Sequence, residues 1–179
     1  MKRILKDNIV YFTIVNKKMI KLDNVESSYG KLETIQSKVV LKKLLDYFGI
    51  EYVPIIKTEL GKPYFKDQDV FFNYSHSKNY IACAIAKCNV GVDIEENDRI
   101  INDTMIKKAG FTKENKLEEF VQRESICKLT GKGVAIFFDK KNFKNLEDYN
   151  KTIITNDYIC SVCAELSNLE FKFLDIKKL

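Results

Sequence analysis

The sequence of 179 residues contains one histidine, two prolines, seven glycines and no tryptophan. A single imidazole excludes sites that need two, such as a metalloprotease helix or a two-histidine zinc finger. The low glycine and proline content excludes fibrous and low-complexity proteins. No apolar run reaches the roughly 18 residues that a membrane-spanning helix needs. Since 45% of the residues are hydrophobic, we predict a globular chain with one large or two small domains.

The five cysteines are an odd number, which favours reduced thiols in a cytoplasmic protein. Cys160-x-x-Cys163 has the spacing of half a zinc ribbon or of a redox pair. It lies inside an apolar run that predicts a strand, and no second pair exists, so we interpret both as core cysteines. The first residues are charged, but no apolar segment follows them. We therefore expect no signal peptide and no membrane partner.

The net charge of +5 is unevenly distributed. Residues 1–89 hold 15 basic and 9 acidic side chains, whereas residues 90–179 hold 15 basic and 16 acidic. A basic half beside a carboxylate-bearing half can present cations to phosphates and carboxylates to a metal. Charge alone favours ordinary solvated lysines.

Hydrophobic patterning predicts an α+β protein. Helices are predicted from a cap at Ser27 or Ser28 to Phe48, and from Thr112 to about Thr130. Residues 60–64 are predicted to turn. Strands are predicted at residues 9–15, 70–75, 80–86, 90–95, 134–138, 158–164 and 169–174. Because strand, helix and strands occur twice, we predict two similar-sized halves, residues 1–89 and 90–179. Two complementary halves in one chain favour a monomer.

Two charged residues fall on the apolar stripe of the second predicted helix. At 3.6 residues per turn, Glu124 and Lys128 align with Leu117 and Val121. A charge at a core-facing position needs a partner, a metal or a wet cleft. A buried structural ion pair explains the pattern equally well.

Two further polar clusters accompany this helix. In Gly91-Val-Asp-Ile-Glu95, strand alternation places Asp93 and Glu95 on one face, where two carboxylates can share a cation such as Mg²⁺. A solvent-facing strand gives the same pattern. In Asn73-Tyr-Ser-His-Ser77, the adjacent Ser75 and His76 do not form a nucleophile–base pair. A lone histidine with neighbouring hydroxyls suits phosphate binding, and a structural turn is the alternative.

Taken in order, these motifs resemble the 4′-phosphopantetheinyl transferase superfamily, in particular its surfactin-synthetase-activating type. The similarity is close over residues 61–133 and loose over the late strand, and residues 1–60 match only in general pattern. The matching segments are Gly61-Lys-Pro63, Phe72-Asn-Tyr-Ser-His-Ser77, Val90-Gly-Val-Asp-Ile-Glu95, Phe111-Thr-x-Glu114, Phe120-x-x-Arg-Glu-Ser125, and Lys128-x-x-Gly-Lys-Gly133.

The resemblance implies transfer of phosphopantetheine from coenzyme A to a serine of an apo acyl- or peptidyl-carrier protein, by two halves related by a pseudo-twofold with the active site at their interface. It implies that Asp93, Glu95 and Glu124 bind Mg²⁺. Glu124 would also act as, or position, the base for the serine hydroxyl. The implied ligand contacts are Lys128 and His76 on the phosphates of coenzyme A, and Ser75 with the turn Gly61-Lys62-Pro63 around its nucleotide.

The chain departs from the family pattern at three places. Phe120 replaces the usual tryptophan and Arg123 the usual lysine, and residues 97–119, which help to form the carrier-docking surface in the family, are few. Two other interpretations are an inactive relative that binds coenzyme A, and a basic nucleic-acid-binding module. The second leaves Glu124 and Lys128 unexplained.

Overall fold

The computed structural model describes residues 3–22, 31–143 and 149–175, and this part of the chain contains nine strands and four α-helices. The strands are β1 (Ile9–Asn16), β2 (Ile55–Lys57), β3 (Pro63–Phe65), β4 (Phe71–His76), β5 (Tyr80–Ala86), β6 (Val90–Glu96), β7 (Asn150–Ile154), β8 (Tyr158–Ala164) and β9 (Glu170–Phe173). The helices are α1 (Leu32–Phe48), α2 (Asp103–Ala109), α3 (Lys116–Thr130) and α4 (Val134–Phe137).

The strands form two main sheets and one short hairpin. The first sheet has the order β4-β5-β1-β9, in which β1 is antiparallel to β5 and parallel to β9. The second sheet has the order β6-β8-β7 and is antiparallel throughout. Strands β2 and β3 pair only with each other.

Both faces of the central strands β1 and β5 of the first sheet are buried, which explains their nearly continuous apolar sequences. Successive side chains of β1 point to opposite faces. Tyr11 and Val15 join the core under α1, while Val10 and Phe12 join the core between the two sheets. The resulting layers are α1, the first sheet, the second sheet and α3.

Helix α3 lies so close to β6 that only glycine fits at position 91. A Cβ there would come within 2.0 Å of the carbonyl oxygen of Ser125 and 2.5 Å of the amide nitrogen of Leu129. Helix α3 also approaches the neighbouring strand β8 closely, because the hydroxyl oxygens of Ser125 on α3 and Ser161 on β8 lie 3.1 Å apart. Gly91 therefore sets the distance between β6 and the helix that carries Glu124 and Lys128.

Strands β4 and β6 lie side by side where the two sheets meet. The buried Asn73 Oδ1 accepts a hydrogen bond of 3.0 Å from the Val92 backbone N–H. A side chain thus replaces backbone pairing across this boundary. The polar residues of both strands consequently meet along one line.

Most predicted elements are confirmed, including the strands at residues 9–15, 80–86 and 158–164. Helix α1 ends at Phe48, and Gly49 follows with a φ of 65°, as predicted for a helix stop. The proposed caps Ser27 and Ser28 lie outside the described residues. The helix predicted from Thr112 begins later, at Lys116.

The later start of α3 has a local cause. Asn115 Oδ1 accepts a hydrogen bond of 3.1 Å from Glu118 N–H, which makes Asn115 the N-cap. The buried Glu119 carboxylate accepts hydrogen bonds of 2.7 Å from the N–H groups of Thr112 and Lys113. Those donors are therefore satisfied outside the helix.

The strand predicted at residues 134–138 is wrong, because this segment forms α4. A short apolar run fits a helix as well as a strand. Here Phe137 inserts between the rings of Phe111 and Phe120, with centroids 6.2 Å and 5.5 Å away. Packing against α3 decides the conformation.

The prediction of a mixed helix-and-sheet protein is confirmed, whereas the pseudo-twofold relation and the division at residue 89 stay predictions. Strand β9 comes from the predicted second half but pairs with β1 of the first sheet. In the described ranges, no helix is both long and apolar enough to cross a membrane.

Candidate active site

Two adjoining cavities open along the line where β4 meets β6. The first, of about 460 Å³, lies between α1, the β2–β3 hairpin, β4 and α3. The second, of about 410 Å³, lies between β4, β6, α3 and the turn after β6. Tyr74, Glu124 and Lys128 line both cavities. The two charged residues of the predicted helix stripe therefore occupy the wall between them.

Lys128 is bound by an aspartate and a serine from two different strands. Its Nζ donates hydrogen bonds of 2.6 Å to Asp93 Oδ1 and 2.6 Å to Ser75 Oγ. Ser75 Oγ in turn donates to Asp93 Oδ1 over 2.8 Å. Asp93 and Ser75 are buried, while the Lys128 side chain is 31% exposed. A cation is thus fixed at the cavity wall with part of its surface open to a ligand.

These contacts exclude one interpretation of the sequence pattern. An ion pair between Glu124 and Lys128 was the structural alternative, but Lys128 pairs with Asp93 instead. Among the described residues, Glu124 forms no ion pair within 4 Å. Its half-buried carboxylate faces both cavities.

Three carboxylates share the second cavity: Asp93, Glu95 and Glu124. Burial raises the pKa of Glu124 above its ordinary value, and the charge of Asp93 raises it further. The same two causes raise the pKa of Glu95, while Arg99 opposes them. Protonation or a nearby cation therefore stabilises the side chains of Glu95 and Glu124.

The fit of Mg²⁺ to these carboxylates depends on their donor atoms and on the cations that already hold them. No three His, Cys, Asp or Glu side chains in the described ranges cluster closely enough to form a metal site. The chain's own cations already hold two of the three predicted ligands, because Lys128 binds Asp93 and Arg99 binds Glu95. However, the second carboxylate oxygen of Asp93 is buried and accepts no hydrogen bond from the residues that the structure describes. Carboxylate oxygens are donors that Mg²⁺ prefers, so the chemical type of these donors fits this ion, although their present spacing does not form a closed site.

Arg99 and Phe120 complete the second cavity, and neither was predicted as a site residue from sequence. The Arg99 guanidinium donates to Glu95 Oε1 and lies 4.6 Å above the centre of the Phe120 ring. The available signal was the spacing of Glu95 and Arg99, four residues apart across a polar turn.

His76 lies at the exposed end of β4 and lines the second cavity with Ser75. Partial burial and the charge of Lys17 lower the pKa of His76, against a smaller raising effect of Glu33. The neutral imidazole is therefore the main form at neutral pH. It offers one N–H donor and one acceptor nitrogen.

The turn Gly61-Lys62-Pro63 lines the first cavity, as does Cys127. Lys62 Nζ, however, donates to the Leu129 carbonyl oxygen at the C-terminal end of α3 and to Asn89 Oδ1 over 3.1 Å. Burial lowers the pKa of this ammonium group. Lys62 thus holds the turn against α3. The cations that line this cavity besides Lys62 and Lys128 are Lys38 and Lys57, which sequence reasoning missed.

All five cysteines are buried and unbridged. Cys160 and Cys163 lie on β8 inside the protein, so the prediction of core cysteines is confirmed.

Comparison with known proteins supports the class that the ordered motifs predicted. No family model matches the chain. The curated 4′-phosphopantetheinyl transferase gsp of Aneurinibacillus migulanus is 28% identical over 194 aligned positions, covering 89% of this chain and 80% of that protein. The resemblance to the 4′-phosphopantetheinyl transferase superfamily is therefore confirmed. The chain is an enzyme related to these transferases, as its ordered motifs predicted.

Proposed function

We propose that the chain transfers the 4′-phosphopantetheine group of coenzyme A to a serine hydroxyl of an apo acyl- or peptidyl-carrier protein, and releases 3′,5′-ADP. The observation that carries the proposal is the position of Glu124 and Lys128 between two cavities. One cavity suits a phosphorylated nucleotide, and the other presents carboxylates to a cation and a hydroxyl group.

The first cavity has the charge that coenzyme A requires. Lys38, Lys57 and Lys128 line it together with the glycine of the 60–63 turn. Ammonium groups attract phosphates, and a glycine lets the backbone approach a ligand closely. Lys128 and His76 would contact the diphosphate, with Ser75 holding Lys128 in position.

The second cavity would supply the metal and the base. Asp93, Glu95 and Glu124 would hold Mg²⁺, which neutralises charge on the diphosphate when bound. Glu124 combines partial burial with a raised pKa. A carboxylate of this kind accepts a proton from a hydroxyl group more readily than an exposed one does.

In the proposed reaction, one bond to phosphorus forms and another breaks. The serine oxygen bonds to the phosphorus that carries pantetheine, and the bond from that phosphorus to the bridging oxygen of the diphosphate breaks. The serine proton passes to Glu124, and the bridging oxygen leaves with 3′,5′-ADP. Lys128 stabilises the charge that develops on the leaving group.

The direct test is to incubate the protein with coenzyme A, Mg²⁺ and apo carrier proteins of both classes, and to weigh each carrier by intact mass spectrometry. We expect one added phosphopantetheine group, lost when the carrier serine is changed to alanine and when EDTA is present. Binding of coenzyme A with no adduct on any carrier would identify an inactive relative. Binding of nucleic acid that falls steeply with salt, without any coenzyme A binding, would support the nucleic-acid module instead. Cytoplasmic location and a monomeric state stay predictions.

A further inference from the structure

The turn after β6 holds Arg99 in a defined place. Arg99 N–H donates to the Glu96 carbonyl oxygen over 3.0 Å, which closes the turn. Asn97 N–H donates to the Asp157 carbonyl oxygen over 3.1 Å, and Asn97 Nδ2 donates to the Thr155 carbonyl oxygen over 2.8 Å. Because these bonds tie the turn to the β7–β8 connection, the Arg99 backbone is fixed beside the second cavity.

The side chain of Arg99 is also supported from two directions. Its guanidinium group donates to Glu95 and stacks on Phe120, whose ring packs against Phe137 at 5.5 Å. The planar guanidinium group suits both contacts at once, because its forked donors match a carboxylate and its face stacks on an aromatic ring. The ion pair is therefore part of the cavity wall, although 43% of the Arg99 side chain is exposed.

Two positively charged side chains thus face three carboxylates. Lys128 forms an ion pair with Asp93, and Arg99 forms one with Glu95, while Glu124 forms no ion pair in the described part of the chain. A divalent cation that binds Glu95 must approach the Arg99 guanidinium. Two like charges a few ångströms apart repel each other, and the repulsion doubles when one of them is divalent.

We propose that Arg99 is a built-in counter-cation that competes with the divalent cation for Glu95 and thereby lowers the affinity of the carboxylates for that cation. This inference rests on the proposed function, because it assumes that Asp93, Glu95 and Glu124 are the cation's ligands. The expected effect is on cation binding and not on transfer itself: Arg99 stabilises the Glu95 carboxylate when no metal is bound, and it weakens metal binding.

The test uses Mn²⁺ as a probe and measures free Mn²⁺ by electron paramagnetic resonance, up to millimolar concentrations and without coenzyme A. We expect R99Q to bind Mn²⁺ more tightly than the wild type, by about tenfold for one charge removed near the site. R99K keeps the charge but loses the forked donor, so we expect an affinity between those of R99Q and the wild type. The double variant R99Q/E95Q is expected to lose the gain, because Glu95 is the ligand that R99Q frees.

R3Q is the matched control. Arg3 also stacks on an aromatic ring, at 4.0 Å from the centre of Tyr47, but lines neither cavity. It removes the same charge, so a change in Mn²⁺ affinity equal to that of R99Q would show a general charge effect and overturn the inference. Thermal unfolding of each variant verifies that it is folded.

Unchanged or weaker Mn²⁺ binding by R99Q would overturn the inference, as would a gain that persists in R99Q/E95Q or the absence of Mn²⁺ binding in every variant. The carrier-protein mass assay, run in parallel on the wild type, separates this result from failure of the proposed function. Transfer with unchanged Mn²⁺ affinity in R99Q leaves the function intact and rejects the role of Arg99. Absence of transfer rejects the function.

Discussion

Helix α3 carries two pairs of an acidic and a basic residue with the same spacing, but the two pairs have different surroundings. Glu119 and Arg123 bind each other, and their side chains are 6% and 4% exposed. Glu124 and Lys128, five residues further along the helix, are partly exposed, and Lys128 binds Asp93 instead of Glu124. The first pair is surrounded by the protein, and the second faces two cavities.

The segments that pack against each pair cause this difference in exposure. Arg123 Nη1 donates to the carbonyl oxygens of Ala109 and Phe137 over 2.9 Å and 3.3 Å, and Glu119 accepts two backbone N–H groups. These bonds fasten α2, α4 and the 111–113 segment to α3. The second pair instead meets the edge strands β4 and β6 and open space. The same spacing of an acidic and a basic residue thus stabilises the packing of helices at one place and presents charged groups to a cavity at another.

The largest expected effect on stability is at Arg123. R123M leaves the buried Glu119 carboxylate without its cation, and we expect the free energy of unfolding to fall by about 3–5 kcal/mol. Denaturant unfolding measures it.

The control for Arg123 is the double variant E119Q/R123M, which buries no unpaired charge and is expected to recover part of the loss. A loss below about 1 kcal/mol in R123M would mean that the Glu119–Arg123 pair does not differ from the second pair in structural importance.

At Glu124 we expect the opposite balance. E124Q removes the proposed base while keeping the size of the side chain, so kcat should fall by about 100-fold or more. Transfer to an apo carrier protein, followed by mass spectrometry, measures this loss. A variant that retains full activity would reject the assigned role.

The difference in stability between E124Q and the wild type should also depend on pH in a defined direction. A carboxyl group whose pKa is higher in the folded than in the unfolded protein favours folding below its unfolded pKa, and this contribution is lost as pH rises through the folded value. At neutral pH, E124Q is therefore expected to be more stable than the wild type. The difference should shrink below about pH 4, where both forms are neutral. Unfolding curves at several pH values test it, and a neutral-pH loss of stability would contradict it.

The smallest effect is expected at a third pair with this spacing. Lys42 and Asp46 of α1 bind over 2.7 Å, but both side chains are more than half exposed. K42Q should change the free energy of unfolding by less than about 0.5 kcal/mol, because solvent screens such a pair. A loss near that of R123M would show that spacing, not surroundings, determines the contribution of a pair.

Sequence reasoning located six of the nine described strands and the Glu124–Lys128 stripe, because these depend on local periodicity, but it missed β2, β3 and β7. It placed Asp93 and Glu95 on one face of β6 for the same reason, and the burial of Val92 and Ile94 on the other face confirms this alternation. These features need only the period of a helix or strand.

The remaining features depend on contacts between distant segments. Arg99 belongs to the second cavity because a turn anchored to the β7–β8 connection brings it over Phe120. Residues 134–138 form a helix because Phe137 fills a gap beside α3. The helix α2 has only seven residues, too few for a clear apolar period, although Asn102 caps it. No local pattern contains this information.

The parallel pairing of β9 with β1 has a consequence for synthesis on the ribosome. Ile9 pairs with Glu170 and Phe12 with Phe173, so β1 cannot complete its pairing until β9, far along the chain, has been made. Until residue 173 has emerged, one edge of β1 remains open, and an open strand edge invites pairing with other chains. The first sheet is therefore completed only after the strands of the second sheet have been made, and closing so long a loop makes its formation a slow step.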